Sequence, residues 1–312
     1  MADGPDLAGA RVRIEGRAWR TPALNVPALD EACGREVWLK PECLQRTGSF
    51  KYRGATNAIA RLLPGTEGVV CISSGNHAQA VARAAREAGI RCLAVMPIDS
   101  NPTKIAATAG YGAEVERDGV TSENRETVGR ALAEERGWPL IHPFDDWDVI
   151  SGQGTACLEL LEDAPALDSI VTPVGGGGLL SGTTLACMLT APGVDVYGAE
   201  PASGDDVHRS LAQGERVRLE RAPLTIADGV RTLQVGERPF SVLREGCAGV
   251  VLVDEDALRE ALAVVWSRTK LVIEPTSALP IAAILAGEIP GRRIGVILSG
   301  GNVDAARIAG RV

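Results

Sequence analysis

One lysine, Lys51, stands directly after Phe50 and opens the run YRGATNAIARLL, which reads as a helix. A solvated helix-start lysine is the ordinary reading of such a residue, and only its company argues otherwise. Gly175, Gly176, Gly177 and Gly178 join a buried strand-like run to an apolar helical run. Four glycines let the backbone approach a ligand closely and aim several N–H groups at it, and the following helix adds its positive end. The run has neither the G-x-G-x-x-G spacing nor the Lys-Ser/Thr of a P-loop, so a single phosphate is expected rather than a dinucleotide or a nucleoside triphosphate. Ser73-Ser74-Gly75-Asn76-His77 opens another helix. Its N–H groups, its hydroxyls and the Asn76 amide suit a small carboxylate, the alternative being a capping turn without a ligand. His77 reads first as a packed helix-start residue. Ser299-Gly300-Gly301-Asn302 ends the last strand and offers a neutral hydroxyl to a heterocyclic nitrogen. A lysine held over an anion cradle can form a Schiff base with an aldehyde cofactor.

These turns need strands behind them. GVVCISS (68–74), RCLAVMP (91–97), AEVERD, PLIHP, DSIVTPVG (168–175), DVYGAE (195–200), AGVVLVDE (248–255) and RIGVILSGG (293–301) read as strands. Between them, 76–90, 101–112, 122–137, LLSGTTLACMLT and 256–270 read as helices, and the acidic stretch after residue 200 reads as loop-rich. Alternation of this kind implies an α/β fold with parallel sheets covered by helices, and ligands at the carboxyl ends of the strands. In such a sheet all three glycine-rich turns can converge on one crevice.

The bulk composition excludes several alternatives. With 312 residues, 45% apolar and 23% charged, the chain suits one large α/β body or two lobes sharing a cleft. A net charge of −8 without a basic run argues against nucleic acid and anionic membrane as partners. The N-terminal segment MADGPDLAGARVR has no apolar core of a signal peptide, and no stretch of about 18 apolar residues is present. Seven cysteines, an odd number with no C-x-x-C, point to a reducing cytoplasm, and three histidines leave little material for a His-rich metal site or a Ser-His-Asp triad.

TGSFKYRGA, SSGNHAQA, PVGGGG and LSGGNVD, in this order and spacing, resemble the fold type II pyridoxal-phosphate enzymes, and more closely their serine/threonine dehydratase and serine racemase group. The resemblance runs from TPAL (21–24) to GGNVD (300–304). It implies a tryptophan synthase β-like architecture of two three-layer α/β lobes, a large one (1–67 plus 146–312) and a small one (68–145). It implies pyridoxal 5′-phosphate as cofactor and Lys51 as Schiff-base lysine and proton acceptor. Phe50 would pack on the cofactor ring, Asn76 would bond its hydroxyl oxygen, Gly175 to Gly178 would bind its phosphate and Ser299 would meet its nitrogen. Ser73, Ser74, Gly75, Asn76 and His77 would line the substrate carboxylate. The segment EPASGDD is similar to a divalent-cation site, with Glu200, the Gly204 carbonyl and Asp206 as ligands for Mg²⁺ or Ca²⁺.

The implied reaction is loss of the β-hydroxyl from an amino acid such as L-threonine or L-serine, giving a 2-keto acid and ammonia. A neutral contact from Ser299 would leave the ring nitrogen largely unprotonated, a weak electron sink that favours quick elimination. Ser74, opposite Lys51, resembles racemases and threo-3-hydroxyaspartate ammonia-lyases, so racemisation stays open, as does β-replacement in a biosynthetic pathway. Ser277, in EPTSALP, stands where many relatives have glycine beside the ring. Relatives of this kind are usually dimers, so a homodimer is expected.

Overall fold

The structure, a computed structural model, describes residues 4–73 and 75–304. Among the described residues ten strands form two sheets: β1 (Leu24–Asn25), β2 (Glu36–Pro41), β3 (Gly68–Ile72), β4 (Arg91–Val95), β5 (Glu114–Glu116), β6 (Leu140–Ile141), β7 (Ser169–Pro173), β8 (Asp195–Pro201), β9 (Gly249–Val253) and β10 (Arg293–Leu298). One sheet has the order β1-β2-β10-β7-β8-β9 and the other β5-β4-β3-β6. Every pairing is parallel except β1 with β2. Strands β3 and β7 are buried along their whole length, which is why GVVCI and SIVTP are apolar runs rather than alternating ones.

The expected strands and helices are present, most of them with shorter ends. β10 stops at Leu298 and β7 at Pro173, because the following glycines leave the ladder to form turns. The acidic stretch after residue 200 is a correction: it contains helices Asp206–Gln213 and Glu237–Gly246. Their starts, GDD and GERP, look like loop sequence, and the helices gain stability by packing, a context that overrides weak propensity.

The lysine-bearing helix Lys51–Ala60 is fixed at both ends of its first turn. Thr47 and Gly48 adopt left-handed φ values of 62° and 70°, forming a hook. Ser49 bridges to Gly300, Phe50 N donates to the Ser299 carbonyl at 3.0 Å, and Gly301 N donates to the Gly48 carbonyl at 2.9 Å. Just inside the helix, Arg53 is fully buried and bonded at 2.7 Å to both Glu42 and Glu159. Burial of one cation between two carboxylates is tolerated because each Arg53 nitrogen has a partner. The helix also meets Trp147–Asp163, which carries Glu159, at backbone distance. A Cβ on Gly54 would lie 2.7 Å from the Val149 carbonyl oxygen, and one on Gly152 would lie 2.6 Å from the Arg53 carbonyl oxygen. Lys51 is therefore carried on a rigid element.

Candidate active site

A cleft of about 440 Å³ opens at the carboxyl ends of the strands of both sheets. Phe50, Lys51, Ser73, Gly75, Asn76, His77, Gly175, Gly176, Gly177, Gly178 and Ser299 all line it. Ser74 lies outside the described residues. Turns far apart in the sequence thus meet in one place, as parallel sheets allow.

The Lys51 amine donates to the Pro143 carbonyl at 2.7 Å and sits 4.9 Å from the centre of the Phe50 ring. Burial lowers its pKa to about 7, only partly opposed by the negative Glu274. A neutral, nucleophilic amine is thus well populated at physiological pH.

Gly175 to Gly178 form a cradle that only glycine fits. A Cβ on Gly176 would lie 2.3 Å from the Phe144 ring, one on Gly178 2.5 Å from Gln153 Oε1, and one on Gly175 2.9 Å from Val230 Cα. Gly177 has φ +91° and starts the 13-residue helix Gly178–Thr190, whose free N–H groups face the cleft. The chemistry of this donor set suits a phosphate group, and the amine across the cleft suits an aldehyde, so the residues present fit pyridoxal phosphate.

Asn76 is locked by two partners. Its Nδ2 donates to Glu274 Oε1 at 2.8 Å, and its Oδ1 accepts from Asn302 Nδ2 at 3.0 Å. Burial raises the Glu274 pKa to about 7, against the pull of the Lys104 ammonium. Sequence reasoning missed Glu274. The pattern Glu-Pro at the start of helix Pro275–Leu285 was the available signal, but nothing local tells that its carboxyl reaches Asn76. Lys104 was missed as well. It pairs with Asp228 at 2.6 Å, joining an element next to the four-stranded sheet to one next to the six-stranded sheet.

His77 is a buried neutral residue. Its Nε2 donates to the Ile141 carbonyl at 2.8 Å, and burial lowers its pKa to about 3. The ring is committed to β6 and does not serve as a base. Ser73 Oγ accepts from Gly75 N at 3.0 Å, shaping the turn around the backbone N–H groups.

Glu200, Gly204 and Asp206 do not line the cleft. Both carboxyls are buried. Glu200 accepts from the backbone N–H of His208 at 2.8 Å, while Asp206 Oδ2 has no hydrogen-bond partner. Burial raises Glu200 well above the usual carboxylate range and Asp206 to about 7. The orphaned Asp206 oxygen, with the Glu200 carboxylate near it and no salt bridge to either acid from any described residue, fits a hard cation. Among the described residues, no group of three or more His, Cys, Asp and Glu side chains gathers as metal ligands, so a carbonyl and waters would complete any coordination shell.

Fold and cleft together define a class of enzyme in which a buried lysine amine faces a glycine cradle across one cleft. The chain belongs to the family of pyridoxal-phosphate dependent enzymes, whose model matches residues 14–300. It is similar to a serine racemase of Dictyostelium discoideum, 45% identical over 97% of this chain and 96% of the relative. It is also similar to an L-threo-3-hydroxyaspartate ammonia-lyase of Saccharomyces cerevisiae, 42% identical over 97% of this chain and 94% of that one. A solved threonine deaminase from T.th. superposes with a TM-score of 0.92 at 49% identity, covering 96% of this chain and 97% of that chain. Among the described residues no helix is long and apolar enough to cross a membrane.

Proposed function

We propose that this enzyme removes the β-hydroxyl of an amino acid such as L-threonine or L-serine, releasing a 2-keto acid and ammonia. The observation that carries the reading is the Lys51 amine, lowered to about 7 and facing the same cleft as the glycine cradle. Pyridoxal phosphate, when bound, supplies an aldehyde that condenses with amines and a ring that accepts electron density from Cα.

This chain's residues do the rest. Gly175 to Gly178 and the helix end hold the phosphate. Phe50 provides an apolar face beside the lysine. Asn76, fixed by Glu274 and Asn302, retains one N–H for the ring oxygen. The backbone of Ser73 to Asn76 binds the substrate carboxylate. Lys51, freed by the incoming amine, removes the Cα proton. Ser74 is assigned to the opposite face, where it returns a proton in racemisation. Residues 68–145 act as a small lobe that closes over the substrate and excludes water, the remainder as the large lobe. Glu200, the Gly204 carbonyl and Asp206 hold Mg²⁺ or Ca²⁺ outside the cleft. The enzyme is assigned to the cytoplasm and to a homodimer, as its cysteine usage and its kinship suggest.

A second reading rests on Arg125. Its guanidinium lines the cleft and forms no ion pair with any described residue. An arginine in the cleft without a direct ion pair favours a second substrate carboxylate, and hence threo-3-hydroxyaspartate over serine. The test is keto-acid release from L-serine, L-threonine and threo-3-hydroxyaspartate, with and without Mg²⁺, alongside D-serine formation from L-serine. No keto acid from any of the three sinks the elimination reading. Arg125→Met that spares serine turnover and abolishes hydroxyaspartate turnover supports the second reading, and equal loss on both refutes it.

A further inference from the structure

Ser277 is fully buried and Ser299 is 2% exposed, so their hydroxyls have no solvent to satisfy them. The Ser277 oxygen lies 2.7 Å from the Gly300 carbonyl oxygen, 2.8 Å from Gly300 N and 3.0 Å from Ser299 Oγ. A carbonyl can only accept, and two oxygens at 2.7 Å without a hydrogen between them repel. The single Ser277 hydrogen is therefore spent on the Gly300 carbonyl. Gly300 N–H points into one Ser277 lone pair. At the remaining contact Ser277 has no hydrogen left to give, so Ser299 is the donor.

We infer that Ser277 orients the Ser299 hydroxyl with its hydrogen turned away from the cleft, so that Ser299 offers only lone pairs to a bound cofactor ring and thereby favours a protonated ring nitrogen. This rests on the functional reading above, in which Ser299 meets that nitrogen. It reverses the expectation drawn from Ser299 alone, that a neutral hydroxyl leaves the nitrogen bare. An unprotonated nitrogen facing Ser299 sets lone pair against lone pair, whereas an N–H⁺ donates to Ser299, which donates to Ser277, which donates to the Gly300 carbonyl. That carbonyl also accepts from Glu274 N at 3.0 Å, which anchors the chain's far end. The hydrogen bonds then all run one way, the arrangement in which neighbouring bonds polarise and strengthen one another. A protonated ring withdraws more electron density from Cα. Ser277 is thus a positioning residue that lengthens the life of negative charge at Cα, which gives reprotonation time to compete with loss of the β-hydroxyl.

The test uses holoenzyme reconstituted with cofactor labelled with ¹⁵N in the ring and reads the nitrogen resonance, independently of turnover. The wild type should show the upfield position of a pyridinium. Ser277→Ala and Ser277→Gly free the Ser299 hydrogen, and the resonance should move downfield towards the neutral pyridine. A neutral-pyridine signal in the wild type, or a pyridinium signal unmoved in both variants, overturns the inference. Borohydride reduction followed by peptide mapping separates the two levels. Label on Lys51 with the wrong nitrogen signal defeats the proton ordering alone, and no label on Lys51 defeats it together with the functional reading.

Discussion

Replacing Lys51 by methionine removes an ammonium that the fold accommodates poorly. The amine titrates near about 7 in the folded protein and at 10.5 in an unperturbed chain. A lysine lowered in this way destabilises the fold most below pH 7, where both states are protonated. The cost fades as pH rises towards 10.5, because the unfolded state keeps a proton that the folded state has lost. Linkage between these two values gives a cost of roughly 4 to 5 kcal/mol at pH 6 and about 2 kcal/mol at pH 9. The lost hydrogen bond to Pro143 adds a nearly constant offset, since charged and neutral amines both donate. Glu274, raised to about 7 by burial and held down in part by the Lys51 charge, titrates in the same range; losing that charge raises it further in the variant, which also narrows the gap as pH rises. The stability gap between cofactor-free Lys51→Met and cofactor-free wild type should therefore shrink by roughly 2 to 3 kcal/mol between pH 6 and pH 9. Urea unfolding at four pH values in that range measures it. A gap that stays constant with pH, or widens as pH rises, would refute the idea that Lys51 is held neutral by burial.

Gly176→Ala should cut cofactor uptake at least tenfold, read by absorbance titration, with the far-ultraviolet dichroism unchanged, because its Cβ would meet the Phe144 ring at 2.3 Å in the glycine cradle proposed to hold the phosphate. Arg53→Met leaves Glu42 buried without its cation and should lower stability by about 3 to 5 kcal/mol in urea. The double variant with Glu42→Gln should recover part of that loss, and additive losses would count against the pairing. Asp206 has its pKa raised from 3.8 to about 7, so burying its carboxyl costs the cation-free fold stability progressively between those values and in full above about 7. Asp206→Asn should raise the melting temperature at pH 8 without divalent ions and abolish the stabilisation by Mg²⁺ expected of the wild type. Retention of the full Mg²⁺ shift in that variant would remove Asp206 from the cation site.

The parts of the site that are legible in the sequence are those whose function is local. Gly177 must adopt φ +91°, and the tight approach of Gly176 to Phe144 admits no side chain, so the glycines announce themselves. The parallel strands are equally visible because burial on both faces forces unbroken apolar runs such as GVVCI. Glu274 was not legible. It is a buried acid whose partner, Asn76, lies 198 positions away, and only the folded sheets bring the two together. Arg53 hides for the same reason: in KYRGA it looks like a surface residue, yet it is among the largest fully buried side chains of the described residues. Helix Asp206–Gln213 was obscured by the acidic, glycine-containing lead-in to its first turn. Ser277 was visible as an oddity beside the ring, but the direction of its hydrogen bonds appears only once Gly300 and Ser299 are in place.

The hook at Thr47 and Gly48 is stitched to residues 299–302, far downstream in the chain, through the Phe50, Gly301 and Asn302 bonds. During synthesis the lysine-bearing helix leaves the ribosome long before its stitching partners exist. Arg53 and the packing on residues 147–163 can seat the body of the helix earlier, but the turn that leads into Lys51 is completed only when the last of the described strands is laid down. A chain stalled before that strand would carry an intact lysine on a seated helix whose entry turn is unfixed.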